Sequence, residues 1–170
     1  MTKPDTTLTD GKTLEEIRMG LDVHRFPVDV AVYSIDNYFN LGAIVRICHN
    51  FQIRNIIAVD LPKYYRKADL GTRKYETIVK VSMKEFLEQY GNRNIVALEK
   101  RPGMITKDLR SFSYPEEPIL LFGSEKTGVH DTLLEKSCAV VSIPMYGLHN
   151  DHNVAVACGI VLYDFVSKQA

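Results

Sequence analysis

The chain has 170 residues, of which 45% are hydrophobic and 25% are charged. These values are typical of one soluble globular domain and exclude a wholly disordered chain. The 21 basic residues equal the 21 acidic ones in number, which excludes a histone-like protein that binds nucleic acid through bulk charge. No apolar run approaches the roughly 18 residues of a membrane helix, so we expect no contact with a membrane.

The first 26 residues predict a flexible arm with one short helix, followed by a single domain over residues 27–170. The arm begins with a polar stretch that lacks the pattern of a secretory signal. Thr13 and Glu16 have the spacing of a capping box, which predicts a helix over about 13–22.

The three cysteines predict free thiols and no metal site. Cys48, Cys138 and Cys158 each stand in an apolar stretch, and no pair has the spacing of a zinc finger. We therefore expect all three to be buried, in a protein of the reducing cytoplasm.

Six apolar runs, rich in β-branched residues, predict buried strands over residues 28–35, 55–59, 78–81, 94–98, 119–122 and 139–143. Further helices are predicted over residues 40–51, 83–90, 131–136 and 153–167. Continuous apolar runs indicate strands covered on both faces, hence an α/β fold with a mostly parallel six-stranded sheet and helices on both sides. Such a sheet binds ligands beyond the carboxyl ends of its strands.

Two segments that follow predicted strands carry polar residues suited to a site. In Asn40-Leu-Gly-Ala-Ile-Val-Arg46, Asn40 is expected to cap a helix and Arg46 to flank the crevice, where a guanidinium can bind a phosphate. In Leu121-Phe-Gly-Ser-Glu-Lys-Thr-Gly-Val129, Glu125 stands in a glycine-rich turn, and Gly123 is expected to let a ligand approach the backbone. Taken alone, each segment is better explained by an ordinary helix cap or turn.

A third segment begins with Ile143-Pro-Met-Tyr-Gly147 and ends with Asp151-His-Asn-Val-Ala-Val-Ala157. It places His, Asn and Asp side chains between a strand and a helix rich in small residues. Polar groups between two apolar elements are costly unless they serve a function.

In this order and spacing, the three segments resemble the three motifs of the SpoU-type, TrmH-like RNA 2′-O-methyltransferases of the SPOUT superfamily. The resemblance covers about residues 28–168. It implies a C-terminal deep trefoil knot, S-adenosylmethionine as the methyl donor, and a homodimer whose active site lies near the subunit interface. The substrate is then the ribose of a tRNA or of a structured rRNA element.

The resemblance also assigns residues by position. It implies a cofactor pocket lined by Leu98, Gly123, Ile143, Met145, Asp151, His152 and Asn153. It implies that the functional polar residues are Asn40, Arg46, Glu125 and Asn153, with Arg46 matching the catalytic arginine. Because a guanidinium stays protonated, we expect Arg46 to position the RNA phosphate and stabilise the developing alkoxide.

The third motif departs from the family, which has Ser-Leu-Asn where this chain has Asp151-His152-Asn153. The proton acceptor is therefore open between the substrate phosphate, Asp151 and His152. A metal at His149 and His152 is not expected, because the reaction needs none. The departure also leaves open a catalytically silent RNA-binding dimer, and the sheet alone allows a small-molecule methyltransferase.

Residues 62–77 are basic and rich in tyrosine, which suits the phosphates and unpaired bases of RNA. Residues 60–110 hold 12 basic and 7 acidic residues, so positive charge concentrates in the middle of the chain. We expect RNA contacts from Lys63, Arg66, Lys67, Arg73 and Lys74. A solvated loop is the alternative interpretation.

Overall fold

The computed structural model describes residues 9–61, 68–148 and 151–169. The helices of this part are α1 (Leu14–Asp22), α2 (Tyr38–Asn50), α3 (Met83–Tyr90), α4 (Asp131–Lys136) and α5 (Val154–Ser167). The strands are β1 (Phe26–Tyr33), β2 (Ile53–Val59), β3 (Ile78–Val81), β4 (Ile95–Leu98), β5 (Lys107–Asp108), β6 (Ile119–Phe122) and β7 (Ala139–Ser142). Within the described ranges, no helix is both long and apolar enough to cross a bilayer.

All neighbouring strands of the sheet run parallel, in the order β3-β2-β1-β6-β4-β7-β5. In the centre, Val30 of β1 pairs with Ile56 of β2 on one side and with Leu120 of β6 on the other. The predicted α/β fold with a parallel sheet is confirmed. Because the strands are parallel, the loops that leave β4, β6 and β7 meet at one edge.

The sheet has one strand more than the six predicted. Lys107 and Asp108 form β5 and pair with Val141 and Ser142 of β7. The Thr106 hydroxyl also lies 2.8 Å from the Ser142 hydroxyl, which ties the new strand to its neighbour. The prediction missed β5 because two charged residues contain no apolar run.

Helices cover both faces of the sheet, as predicted. On one face α2 and α5 contribute Cys48, Cys158 and Phe165 to a buried cluster. On the other face Phe86 of α3 and Leu133 of α4 pack against the strands. The prediction that every cysteine is buried is wrong for Cys138, which is exposed because it lies in the connection from α4 to β7.

The described part of the N-terminal arm is bonded to the domain. The predicted capping box of Thr13 and Glu16 is confirmed, and it begins α1. Farther along, the Arg25 guanidinium donates to the backbone oxygens of Ile53 and Tyr75, at 2.6 and 2.9 Å, and to the Glu76 carboxylate at 2.7 Å. These bonds attach the end of the arm to β2 and to the segment before β3.

Candidate active site

A cleft of about 660 Å³ opens at the carboxyl ends of β4, β6 and β7. Its walls include all of the residues predicted for the cofactor pocket: Leu98, Gly123, Ile143, Met145, Asp151, His152 and Asn153. Apolar side chains from β4, β7 and α5 therefore face polar groups from three loops. This volume and lining are typical of small-molecule sites, which span about 300–1,000 Å³.

The turn after β6 is closed on itself and forms one wall of the cleft. Ser124 and Gly128 exchange backbone hydrogen bonds of 3.1 and 2.8 Å. A Cβ atom at Gly123 would overlap the backbone of Gly128 and Val129. The absence of a side chain at Gly123 therefore makes room for the chain's own backbone, and Gly123 also lines the cleft.

A chain of hydrogen bonds joins the three sequence segments beside the cleft. The Asn40 amide donates to the Glu125 carboxylate, and its carbonyl oxygen accepts from the Asn153 amide at 3.1 Å. The Asn153 side chain also caps α5, since its oxygen accepts from the Ala155 N–H at 3.0 Å. Asn40 is buried, with 9% of its surface exposed. The structure thus brings together three of the four residues predicted to be catalytic.

Arg46, the fourth predicted catalytic residue, stands apart from this network. It is exposed on α2 and makes no hydrogen bond or ion pair with any described residue. The prediction that Asn40 caps this helix is wrong, because Asn37 accepts from the Phe39 N–H at 3.0 Å and starts the helix earlier. Asn40 lies inside the first turn instead, and this leaves its side chain free to bond across to the other two segments.

An apolar groove between α2 and α5 borders the cleft on the far side of the Asn40–Asn153 bond. Both asparagines line it, and the cleft shares Asn153 with it. Large apolar side chains stand exposed on these two helices: Phe39 at 63%, Val156 at 52% and Tyr163 at 67%. Contiguous exposed apolar patches are a feature of interaction surfaces, whereas apolar side chains exposed singly are ordinary.

The model of the SpoU rRNA methylase family matches residues 27–163, which include the whole cleft and the asparagine network. The chain belongs to this family. The family predicted from the three segments is confirmed, and with it an RNA methyltransferase as the class of protein.

Similar proteins agree with this assignment. The tRNA (guanosine(18)-2′-O)-methyltransferase of Aquifex aeolicus is 28% identical, over 90% of this chain and 75% of its own. The crystal structure of an A. aeolicus TrmH/SpoU tRNA modifying enzyme superposes with a TM-score of 0.78 and 26% identity, over 92% of this chain and 82% of that one. The SpoU methyltransferase AviRb from Streptomyces viridochromogenes, solved with AdoMet, shares the fold with a TM-score of 0.73 and 21% identity. The match to AviRb covers 83% of this chain but only 60% of that one.

The cleft of this SpoU family member also contains residues that the motifs did not indicate. Glu99, Lys100 and Arg101 follow β4 directly and line the cleft beside the predicted residues. The signal that could have found them was positional, because the loop after this strand was expected to face the crevice. No residue pattern distinguished them from other charged loop residues.

The predicted RNA-binding segment is described in part. Lys63, Arg66 and Lys67 lie outside the described residues. Arg73 forms an ion pair of 3.6 Å with Asp69, and the Lys74 ammonium lies 4.7 Å from the centre of the Tyr75 ring. Tyr75 in turn stacks on His49 of α2, so this tyrosine packs on the protein itself.

Asp151 and His152, which differ from the usual residues of the third motif, lie exposed in the wall of the cleft. His149, the other histidine considered for a metal, lies outside the described residues. Within the described part, no group of three or more His, Cys, Asp or Glu side chains is arranged to hold a metal.

Proposed function

We propose that this protein transfers a methyl group from S-adenosylmethionine to the ribose 2′-hydroxyl of a tRNA or a structured rRNA element. The observation that carries the proposal is the hydrogen-bond chain from Glu125 through Asn40 to Asn153. It links all three family motifs at the edge of a cleft whose walls contain every residue predicted for the cofactor.

The cleft fits the cofactor in size and in chemistry. Leu98, Ile143 and Met145 offer apolar contact, and the backbone of the turn at Gly123 offers polar groups. When bound, S-adenosylmethionine supplies a methyl group on a positively charged sulfur, which makes the carbon reactive towards an oxygen nucleophile. Asp151 places a carboxylate in the same wall, where the positive charge of the bound cofactor would attract it.

On the RNA side, the residues of the first motif orient the nucleophile. Asn40, held between Glu125 and Asn153, fixes the first turn of α2 at the cleft. Arg46 lies six residues farther along this helix with its guanidinium unpaired among the described residues, and so it is available for an RNA phosphate. The proton of the ribose hydroxyl needs an acceptor, and Asp151 and His152 are the predicted acceptors that this chain places in the cleft.

The proposal includes a homodimer whose interface is the groove between α2 and α5. The exposed Phe39, Val156 and Tyr163 support it, because dimer interfaces are rich in aromatic and apolar side chains. The mutation Val156→Asp should convert the dimer to a monomer in analytical ultracentrifugation. Met19→Asp, which changes an even more exposed apolar side chain on α1, should leave the dimer intact.

The proposal also includes the C-terminal trefoil knot. The order of the elements supports it: β7 lies beyond β4 in the sheet, whereas α5, which follows β7 in the chain, packs on α2, and α2 contacts β2. After β7 the chain therefore returns from one side of the sheet towards the other, past β4 and β6. We further propose residues 27–170 as the catalytic domain, residues 1–26 as an accessory arm, and the cytoplasm as the location.

Residues 62–77 are proposed to follow the phosphates of the RNA. The packing of Ala68 supports this proposal, because it places the segment beside α2, the helix that carries Arg46. Ala68 lies so close to α2 that a Cβ atom at Gly42 would overlap it. Changing Lys63, Arg66 and Lys67 to Glu should weaken RNA binding and flatten its dependence on salt. Reversal of Lys80, Lys84 and Lys136, three exposed lysines elsewhere, is the matched control.

The experiment that tests the activity in the cell is a map of 2′-O-methylated nucleotides in total RNA, with and without the gene. Loss of one or a few sites in a tRNA or rRNA, restored by the wild-type gene but not by Arg46→Ala, is the expected result. An unchanged map would contradict the proposal.

A further inference from the structure

Glu99 joins two of the loops that form the cleft. It follows β4 directly, and only 11% of its side chain is exposed. One carboxylate oxygen accepts from the Val129 N–H at 2.7 Å, and the other accepts from the Lys100 N–H at 2.8 Å. The loop after β4 is thereby bonded to the far end of the turn after β6.

Arg101 completes this connection from the same loop. Its guanidinium donates to the Val129 carbonyl oxygen and forms a 2.7 Å ion pair with Asp131 at the start of α4. It also lies 3.5 Å from the Glu99 carboxylate. Both backbone groups of Val129, a fully buried residue, are therefore bound by side chains of the loop after β4.

The turn is built to admit the Glu99 carboxylate. Gly128 has a φ of +68°, a conformation that favours glycine, and a Cβ atom there would overlap the carboxylate. The carboxylate thus fills the space beside Gly128 that a side chain would otherwise occupy. The two glycines of the second motif accordingly have different neighbours: Gly123 meets the backbone of Gly128, and Gly128 meets Glu99.

We propose that Glu99 is a positioning residue for the cofactor, acting through the turn over residues 123–129. Its bond to Val129 fixes this turn as a rigid wall of the cleft and keeps Glu125 within reach of Asn40. Without Glu99, the buried Val129 N–H loses its partner, and the turn gains freedom that must be lost again when the cofactor binds. The inference rests on the proposed function, because it assigns the cleft to S-adenosylmethionine.

The test compares Glu99→Ala and Glu99→Gln with the wild type. Calorimetry measures the affinity for S-adenosylmethionine, and hydrogen exchange measures protection of the peptide that contains Val129. We expect Glu99→Ala to weaken the affinity about tenfold and to speed exchange at Val129. Glu99→Gln should be affected less, since its amide oxygen can still accept from Val129. Glu135→Ala, which changes an exposed glutamate on α4, should match the wild type in both measurements.

Each outcome decides the inference. Faster exchange at Val129 together with unchanged affinity would overturn it, because Glu99 would then only stabilise the turn. Unchanged exchange would overturn it as well. If Glu99→Ala does not fold, Glu99→Gln and Arg101→Ala decide by the same criterion. A wild-type protein that fails to bind S-adenosylmethionine would overturn both the inference and the proposed function, whereas unaffected variants of a binding protein would overturn the inference alone.

Discussion

The side-chain amides of Asn40 and Asn153 lie 113 residues apart in sequence and are joined by a hydrogen bond of 3.1 Å. One amide belongs to the first turn of α2, and the other caps α5. Through this bond the helix that carries Arg46 is fixed against the helix that closes the cleft. The bond therefore connects the part of the site assigned to RNA with the part assigned to the cofactor.

The mutation Asn40→Ala should lower kcat for RNA methylation at least about tenfold at saturating cofactor. It removes the acceptor of the Asn153 amide and the donor to Glu125, and it should cost about 1–2 kcal/mol of stability. Steady-state kinetics and thermal unfolding measure the two effects. Asn50→Ala, at the exposed end of the same helix, is the control. A kcat within twofold of the wild type would show that the amide network has no part in the reaction.

The mutation Arg46→Ala should abolish methyl transfer and leave cofactor affinity almost unchanged. Arg46 is exposed and does not line the cleft, so the affinity should change less than about threefold, which corresponds to ~0.7 kcal/mol. Methyl transfer and calorimetry are measured side by side, with Lys84→Ala as the control for lost positive charge. Loss of cofactor binding in step with activity would reject the RNA-directed role.

Much of the fold was predictable because short apolar runs rich in β-branched residues indicate buried strands. The run at Ile119–Phe122 is continuous, and the run at Val28–Tyr33 is interrupted only by Asp29, since both faces of β1 and β6 are covered. The residues of the cleft were predictable for a different reason. The three motifs are specific to the family, and the loops that follow parallel strands lie at one edge of the sheet. β5 was not predictable, because its pairing with β7 depends on tertiary contacts and leaves no local pattern.

The start of α2 and the role of Glu99 could not be predicted from the sequence, for related reasons. Asn37 and Asn40 are both good capping residues. The structure shows that Asn37 caps α2, whereas the side chain of Asn40 bonds to Glu125 and Asn153. Glu99 looks like any charged residue after a strand until its 2.7 Å bond to Val129 is known. Both are interactions between segments far apart in the chain.

The departure at Asp151 and His152 predicts a change in the pH dependence of the reaction. Asp151→Ser, which restores the residue typical of the family, should leave a folded dimer that still binds cofactor. His152→Leu should alter the shape of the pH–rate profile between about pH 6 and 9, because the mutation removes a candidate proton acceptor of the reaction. A profile parallel to that of the wild type at every pH would show that His152 only forms a wall of the cleft.

Asp29 predicts a loss of stability in acid. It is 1% exposed on β1, and its carboxylate accepts from Arg54 at 3.0 and 3.1 Å and from Asn55 at 2.8 Å. Burial raises the pKa of Asp29, but the bonds from Arg54 and Arg93 outweigh it and hold this pKa below its ordinary value of 3.8. The stabilisation is therefore present above pH 3.8 and is lost as the pH falls through the lower value of the folded state.

The mutation Asp29→Asn should accordingly destabilise the protein by about 3 kcal/mol at neutral pH, because Arg93 loses its ion pair with Asp29 and Arg54 keeps only its ion pair with Glu117. The difference from the wild type should shrink as the pH falls below 4, as measured by urea unfolding at a series of pH values. Asp10→Asn, which changes an exposed residue of the arm, is the control. A difference that stays constant down to pH 2 would contradict the assignment of the acid sensitivity to Asp29.

The most direct test of the whole account is a transfer assay with the purified protein, S-adenosylmethionine labelled in the methyl group, and total RNA. The labelled RNA is digested to nucleosides, which are separated and identified by mass spectrometry. The account predicts that the label resides in a 2′-O-methylated nucleoside, that its appearance needs no added metal, and that Arg46→Ala eliminates it. Label on a base, or no label in RNA from a wild-type protein that binds S-adenosylmethionine, would contradict it.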